Sequence, residues 1–426
     1  MEPPGAVLPE HAVAIRGGII EAVLPSAEAE ARFPGFPREH LAEHALIPGL
    51  VNAHTHAAMA LMRGLADDLP LMHWLQEHIW PAESRHVSAQ FVRDGTLLAC
   101  AEMLRGGVTC FNDMYFFPEA ALEAALEAGM RASLGMIVFD FPSAYGSDAD
   151  DYLAKGLALR DRWREHPAVS FCLAPHAPYT VSDATFGKIA TILGEIDAPL
   201  HIHLHETEDE VARSVAEHGV RPIERLRRLG LLGPGLIAVH AVHLSDDEIG
   251  LLARHGASVA HCPSSNLKLA SGIAPVAKLA AADVTLSLGS DGAASNNRLD
   301  VLGEMRLAAL LAKAVARDAA AMPAHAALRA ATLGGASALG LQARIGSILP
   351  GKAADLAALR LSGPALEPCY DPVSHLVYAA GRENVTDVWV AGERRLRSGE
   401  LENPAFRGLS TLGQMWQNRL ISKPDS

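Results

Sequence analysis

A chain of 426 residues with 49% hydrophobic and 20% charged residues has an ordinary globular composition, and it is long enough for a large core plus a second, smaller domain. With 36 basic against 49 acidic residues the net charge is -13, and no basic run relieves it, which argues against nucleic acid or an anionic membrane as partner. No apolar run reaches membrane-spanning length, the opening Met1-Glu2-Pro3-Pro4-Gly5 has no targeting pattern, and the cysteines at 100, 110, 172, 262 and 369 form no Cys-x-x-Cys pair; a cytoplasmic protein with reduced, core-filling cysteines is expected.

In chain order, residues 11–25 predict two short strands about Gly17-Gly18. Leu46 to Ala53 predicts a buried strand punctuated by Pro48 and Gly49. Further strands are expected at Gly107 to Asp113, Ala132 to Phe139, Val169 to Ala174, Pro199 to His205, Leu236 to His240, Ser258 to His261 and Thr285 to Leu288, alternating with amphipathic helices. That alternation predicts an α/β fold, a (β/α)8 TIM-like barrel over 46–345, in which catalytic groups belong at the C-terminal strand ends. Strand character returns at Ala354 to Leu359 and Val385 to Arg394, so a small β-sandwich domain is expected from both termini, 1–45 with 346–402. The tail, 403–426, reads as helical through Met415-Trp416-Gln417.

The polar residues fall at the strand ends. His54 and His56, two apart on an extended segment, point to one side and can meet one ion. The fifth strand carries His201, His203 and His205 followed by Glu206; burying so many imidazoles without a metal or a hydrogen-bond network would be costly. The sixth ends at His240, and the eighth delivers Asp291 between Gly289 and Gly292, glycines that let a ligand approach. Imidazoles with a carboxylate suit zinc or a similar borderline metal better than calcium. With His54, His56, His203 and Asp291 as its ligands, room remains for a water that the ion acidifies. Taken singly, each histidine reads equally well as a satisfied core residue. The acids Glu208, Asp209 and Glu210 read as a solvated helix start.

Pro48 to His56, His203-x-x-Glu206, Val239 to Leu244, His261-Cys262-Pro263-Ser264-Ser265-Asn266 and Gly289 to Gly292 together resemble the amidohydrolase superfamily, as do Ala331 to Ala336 and Gly346 to Asp355. Within it, Trp74-Leu75-x-x-x-Ile79-Trp80-Pro81-Ala82-Glu83 and Ala174 to Tyr179 are similar to the 5-methylthioadenosine/S-adenosylhomocysteine deaminases, TRZ/ATZ-like metal-dependent hydrolases. The resemblance implies a single zinc per subunit, with Glu83 on the ribose hydroxyls, His176 lining the pocket and Trp74 offering an apolar face to the nucleoside. From the residues alone, Trp74 reads equally as core packing and Glu83 as a helix-start acid. Two-metal relatives carry a bridging lysine near the fourth strand; here no lysine stands between Ala168 and Tyr179, in keeping with one ion.

The expected chemistry is hydrolysis at C6 of an adenine nucleoside. Asp291 would bind the metal and take the proton of the attacking water, Glu206 would protonate the ring nitrogen and the leaving ammonia, and His240 would orient the water or steady charge. Two departures from the resemblance stand out. Relatives carry an apolar strand ahead of a segment like residues 7–24, so either the small domain is short of a strand or the chain start is placed late. Relatives that accept S-adenosylhomocysteine present arginine near the third strand, and Ala132 to Leu159 has none, which favours 5'-methylthioadenosine over S-adenosylhomocysteine, with adenosine a further weak substrate. Guanine, 8-oxoguanine or a triazine is the alternative substrate class, and a non-catalytic scaffold the third reading, opposed by the complete ligand set. The resemblance implies that homo-oligomers are common, though no residue here marks an interface.

Overall fold

The computed structural model describes residues 6–422; Met1 to Gly5, read above for targeting signals, and the last part of the expected tail, 423–426, lie outside them. β1 (His11–Arg16) and β2 (Ile19–Pro25) form an antiparallel hairpin, with Gly17 and Gly18 at φ 56° and 79° supplying the left-handed turn. The stretch expected as one strand over 46–53 is two. β3 (His44–Pro48) belongs to a terminal sheet, the chain passes through Gly49, and β4 (Leu50–Thr55) opens the barrel. Glycine is required there because a Cβ would lie 2.2 Å from Thr109 Oγ1.

β4 is followed by β5 (Val108–Asp113), β6 (Arg131–Val138), β7 (Val169–Pro175), β8 (Leu200–Leu204), β9 (Leu236–His240), β10 (Ser258–His261) and β11 (Thr285–Leu288), parallel neighbours in chain order. Just past β11 the amide of Asp291 donates to the carbonyl of His54 at 3.0 Å, bringing the last strand against the first. Every residue of β4, β5 and β6 is buried, as expected of parallel strands covered on both faces. Between β4 and β5 the short helix Leu71–Trp74, a π-helical turn Leu75–Ile79 and the helix Trp80–His86 contribute residues to the cavity at the C-terminal mouth.

β12 (Leu356–Arg360), β13 (Val385–Val390), β14 (Glu393–Arg397) and β15 (Glu400–Leu401) form, with β3, an antiparallel sheet of order β15-β14-β13-β12-β3. The β1–β2 hairpin joins it through Ala354 N–H to Gly18 O at 2.8 Å and a shared core of Ile20, Ala354 and Leu356. Both termini thus build the small β unit. Arg131, at the start of β6, ties it to the barrel: its Nε and Nη2 bond the Asp355 carboxylate at 2.6 and 3.1 Å, buried on both sides. The tail forms the helix Leu409–Ile421, whose Trp416 Nε1 donates to Asp94 Oδ2 at 2.9 Å while its ring meets Phe91 edge-on. Four cysteines are buried as expected; Cys369 is exposed and fills no core. No helix among the described residues is long and apolar enough to cross a membrane.

Candidate active site

β4 carries His54 to the barrel axis and His56 one step beyond its end. The two rings lie 4.8 Å apart at 85°, and both Nε2 atoms sit 3.3 Å from Asp291 Oδ1. From β8, His203 Nε2 comes within 3.2 Å of His54 Nε2. Ligand atoms bound at 2.0–2.2 Å around a tetrahedral ion stand roughly 3.3–3.6 Å apart, so this cluster has the dimensions of a zinc site. His240 adds a fourth imidazole, within reach of His54 and His203.

The ring orientations are fixed by carbonyls, which can only accept. His56 Nδ1–H donates to Met114 O at 2.5 Å and His203 Nδ1–H to His176 O at 2.8 Å, leaving each Nε2 lone pair for an ion. His54 Nδ1 meets His201 Nε2 at 3.1 Å, and His201 Nδ1 in turn meets the Asn112 amide at 2.8 Å. Burial lowers His54 to about 4 and holds His203 well below its usual value, with neighbouring imidazoles adding to the effect. Burial pushes the Asp291 carboxyl up, but the His54 hydrogen bond and the surrounding imidazoles outweigh it and leave it well below the usual range. Neutral imidazoles beside an ionised carboxylate form the donor set a single zinc requires.

Asp291 is oriented through its other oxygen. Ser265 Oγ and Ser295 Oγ donate to Oδ2 at 2.6 and 3.0 Å. Asn266, the next residue in the His261-to-Asn266 segment, accepts from His240 Nδ1–H through Oδ1 at 2.8 Å and turns His240 Nε2 toward Glu206 Oε2, 3.8 Å away. His205, His240 and Asp291, at or just past the C-terminal ends of β8, β9 and β11, have φ of 56°, 71° and 60°, left-handed backbone that costs about 1–3 kcal/mol each. Gly289 and Gly292 admit the protein rather than a ligand: a Cβ would meet His54 Cβ at 2.8 Å in the first case and Met59 Sδ at 2.9 Å in the second.

Glu206 is buried, and burial raises its carboxyl, with His240 opposing. Its backbone N–H donates to Glu210 Oε2 and that of His205 to Oε1, both at 2.8 Å. Glu210 is therefore no solvated acid; it is buried, and burial pushes it up to about 8. The sequence signal was Thr207-x-x-Glu210, a capping pattern: Thr207 Oγ1 accepts from Glu210 N–H at 3.1 Å. Of the three histidines around β8, His201 and His203 reach the centre. His205 turns away to bond His243 O and Ile223 N–H, both at 3.1 Å.

One cavity, about 790 Å³ when the solvent at its open mouth is included, is lined by every expected site residue except His54, which lies fully buried behind them. Trp74 lines it, as does His176, whose ring stacks on Phe139 at 4.8 Å. Phe116, Phe141, Leu71 and Ile137 make the walls apolar, and no lysine or arginine among the described residues lines them. Glu83 faces the same space, and its Oε1 accepts from Tyr115 Oη at 2.6 Å. Burial lifts Glu83 to about 7 against that bond. Nothing in the sequence marked Tyr115; it follows β5 by two residues, a mouth position on the barrel.

The model of the amidohydrolase family matches residues 45–395. A 5-methylthioadenosine/S-adenosylhomocysteine deaminase of Teredinibacter turnerae is 47% identical over 404 residues, covering 95% of this chain and 91% of that one. A 5'-deoxyadenosine deaminase of Methanothermobacter thermautotrophicus is 44% identical over 357 residues, covering 84% and 83%. The crystal structure of an adenosine deaminase from Xanthomonas campestris with bound zinc superposes with TM-score 0.95 at 51% identity, covering 98% and 95%. With its ligand cluster at the strand ends and the family's pattern along nearly its whole length, this chain belongs to the amidohydrolase family.

Proposed function

We propose that the protein is a zinc-dependent deaminase of adenine nucleosides. It converts 5'-methylthioadenosine and water to 5'-methylthioinosine and ammonia, with S-adenosylhomocysteine and adenosine as weaker substrates. One observation carries this reading: a single cavity joins an ion-binding cluster and buried proton-transfer groups to an apolar, aromatic chamber with one carboxylate on its wall. The activities named for relatives at 44–47% identity support it. The absence of a cationic lining residue favours an uncharged 5' substituent over an amino-acid tail.

An ion held by His54, His56, His203 and Asp291 supplies the Lewis acidity that makes water a nucleophile near neutral pH. Asp291 accepts the proton that water loses as its oxygen bonds to C6. Glu206, its carboxyl raised by burial, gives a proton to the neighbouring ring nitrogen and then relays one to the departing amine. His240, held by Asn266, steadies the charge that develops between them. Glu83 takes the ribose hydroxyls, Trp74 covers the nucleoside, and His176 closes the side against Phe139. The same reading takes the enzyme as cytoplasmic, acting on a free nucleoside, with nucleic acid no partner.

The test follows the ultraviolet change from adenine to hypoxanthine with zinc-loaded protein on 5'-methylthioadenosine, S-adenosylhomocysteine and adenosine, with ammonia release from guanine, 8-oxoguanine and a triazine alongside. Fast turnover of the first substrate is expected. Ammonia from a free base or triazine alone would replace the nucleoside with another substrate class.

A further inference from the structure

Glu83 is an unusual group to find on an apolar chamber wall. Its Oε1 has one protein donor, Tyr115 Oη at 2.6 Å, and its Oε2 has no hydrogen-bond partner among the described residues. A carboxylate in that position only accepts, so what completes it must bring donors, and the spare lone pairs of Oε1 and Oε2 suit two hydroxyls on neighbouring carbons. Tyr115 stands between this carboxylate and the ion-binding cluster: its ring is buried and lies 6.3 Å from that of His56. It follows Asp113, which is itself fixed at Oδ1 by the amide of Ala57 at 2.7 Å, so the backbone that carries the phenol is tied to the segment after β4.

We propose that Tyr115 is a positioning residue that turns Glu83 into a selector for vicinal diols, holding its carboxylate at a set distance from the reacting centre. This rests on the nucleoside reading above. With the phenol bonded to Oε1, one rotamer of Glu83 is fixed and Oε2 is presented to the ligand. Without it, the carboxylate faces apolar walls with no donor and must protonate or swing away, and a neutral carboxyl loses the charge-assisted acceptance of two hydroxyls. Tyr115 thereby governs discrimination between ribosides and dideoxyribosides without touching the adenine ring.

The experiment compares adenosine with 2',3'-dideoxyadenosine on the zinc-loaded enzyme, Tyr115→Phe, Glu83→Ala and the double variant. Tyr115→Phe should raise the KM for adenosine by about tenfold to a hundredfold more than that for the dideoxy compound, the range expected for one hydrogen bond to a charged group, with the loss in KM rather than kcat. In the Glu83→Ala background the same change should add no further loss of discrimination. Equal losses on both substrates, or a loss confined to kcat, would overturn the proposal. Calorimetric binding of inosine against 2',3'-dideoxyinosine makes the same comparison without turnover. Diol-selective binding that depends on Tyr115, in a protein that deaminates no nucleoside, sinks the reaction proposed above and leaves the pair standing; deamination without diol selectivity sinks the pair alone.

Discussion

Ser265 Oγ donates to Asp291 Oδ2 over 2.6 Å, which commits that oxygen to the protein and leaves Oδ1 facing His54 and His56. The serine therefore sets how the carboxylate meets an ion. Ser265→Ala should weaken zinc binding about tenfold to a hundredfold, the usual effect of removing a partner of a metal ligand, read as faster loss of zinc to a chelator. Ser295, at 3.0 Å on the same oxygen, should make the double variant worse than either single one.

Glu206→Gln keeps the size of the side chain and removes the exchangeable proton. Turnover should fall by about a hundredfold to ten-thousandfold while zinc content, measured by atomic absorption, stays at that of the parent. Retained turnover would remove Glu206 from proton transfer.

The Glu83 carboxyl is raised from 4.5 to about 7 by burial. Below that point it is neutral in the folded protein, above it ionised, and ribose hydroxyls bond the ionised form better. The ratio of kcat/KM for adenosine to that for 2',3'-dideoxyadenosine should therefore climb as pH rises through about 7, and titrations common to both substrates cancel in the ratio. The linked effect on stability has the opposite slope: the unfolded chain gives up this proton near 4.5 and the folded one only near 7, so folding loses stability as pH rises across that window. Glu83→Gln should flatten this part of the melting-temperature profile.

Arg131 and Asp355 form a buried ion pair between barrel and terminal sheet, and Asp355 also receives the amides of Ala391 and Gly49 at 2.8 Å. Arg131→Ala leaves a buried carboxylate without its cation. Denaturant unfolding should show a loss of about 3–5 kcal/mol, with activity per folded molecule little changed, since the pair lies at the strand starts, opposite the site.

The barrel strands and the histidines and acids that cluster at their ends were legible because each leaves a local mark: short apolar runs at regular intervals, and polar residues where those runs stop. β9, β10 and β11 fall on the expected residues without adjustment. What escaped depends on contacts between distant segments. Glu210 looked like its exposed neighbours Glu208 and Asp209 because composition does not say which member of an acidic run folds back over its own backbone. Tyr115 gained meaning only when Glu83, 32 residues away in sequence, was found against it. The continuous apolar stretch across Gly49 hid a change of sheet, since both halves are buried and period alone cannot separate them.

At Gly49 the chain leaves one sheet and enters the other with no connecting loop: its N–H bonds Asp355 O at 2.8 Å, and the next amide, Leu50, bonds Gly107 O at 3.0 Å. The terminal sheet is thus the upstream anchorage of the strand that bears His54, and the two units are not interchangeable parts. A shortened gene beginning at β4 would encode a barrel whose first strand is tethered at one end only. Transplanting this centre into another scaffold would have to bring β3 and its partner β12 along with it.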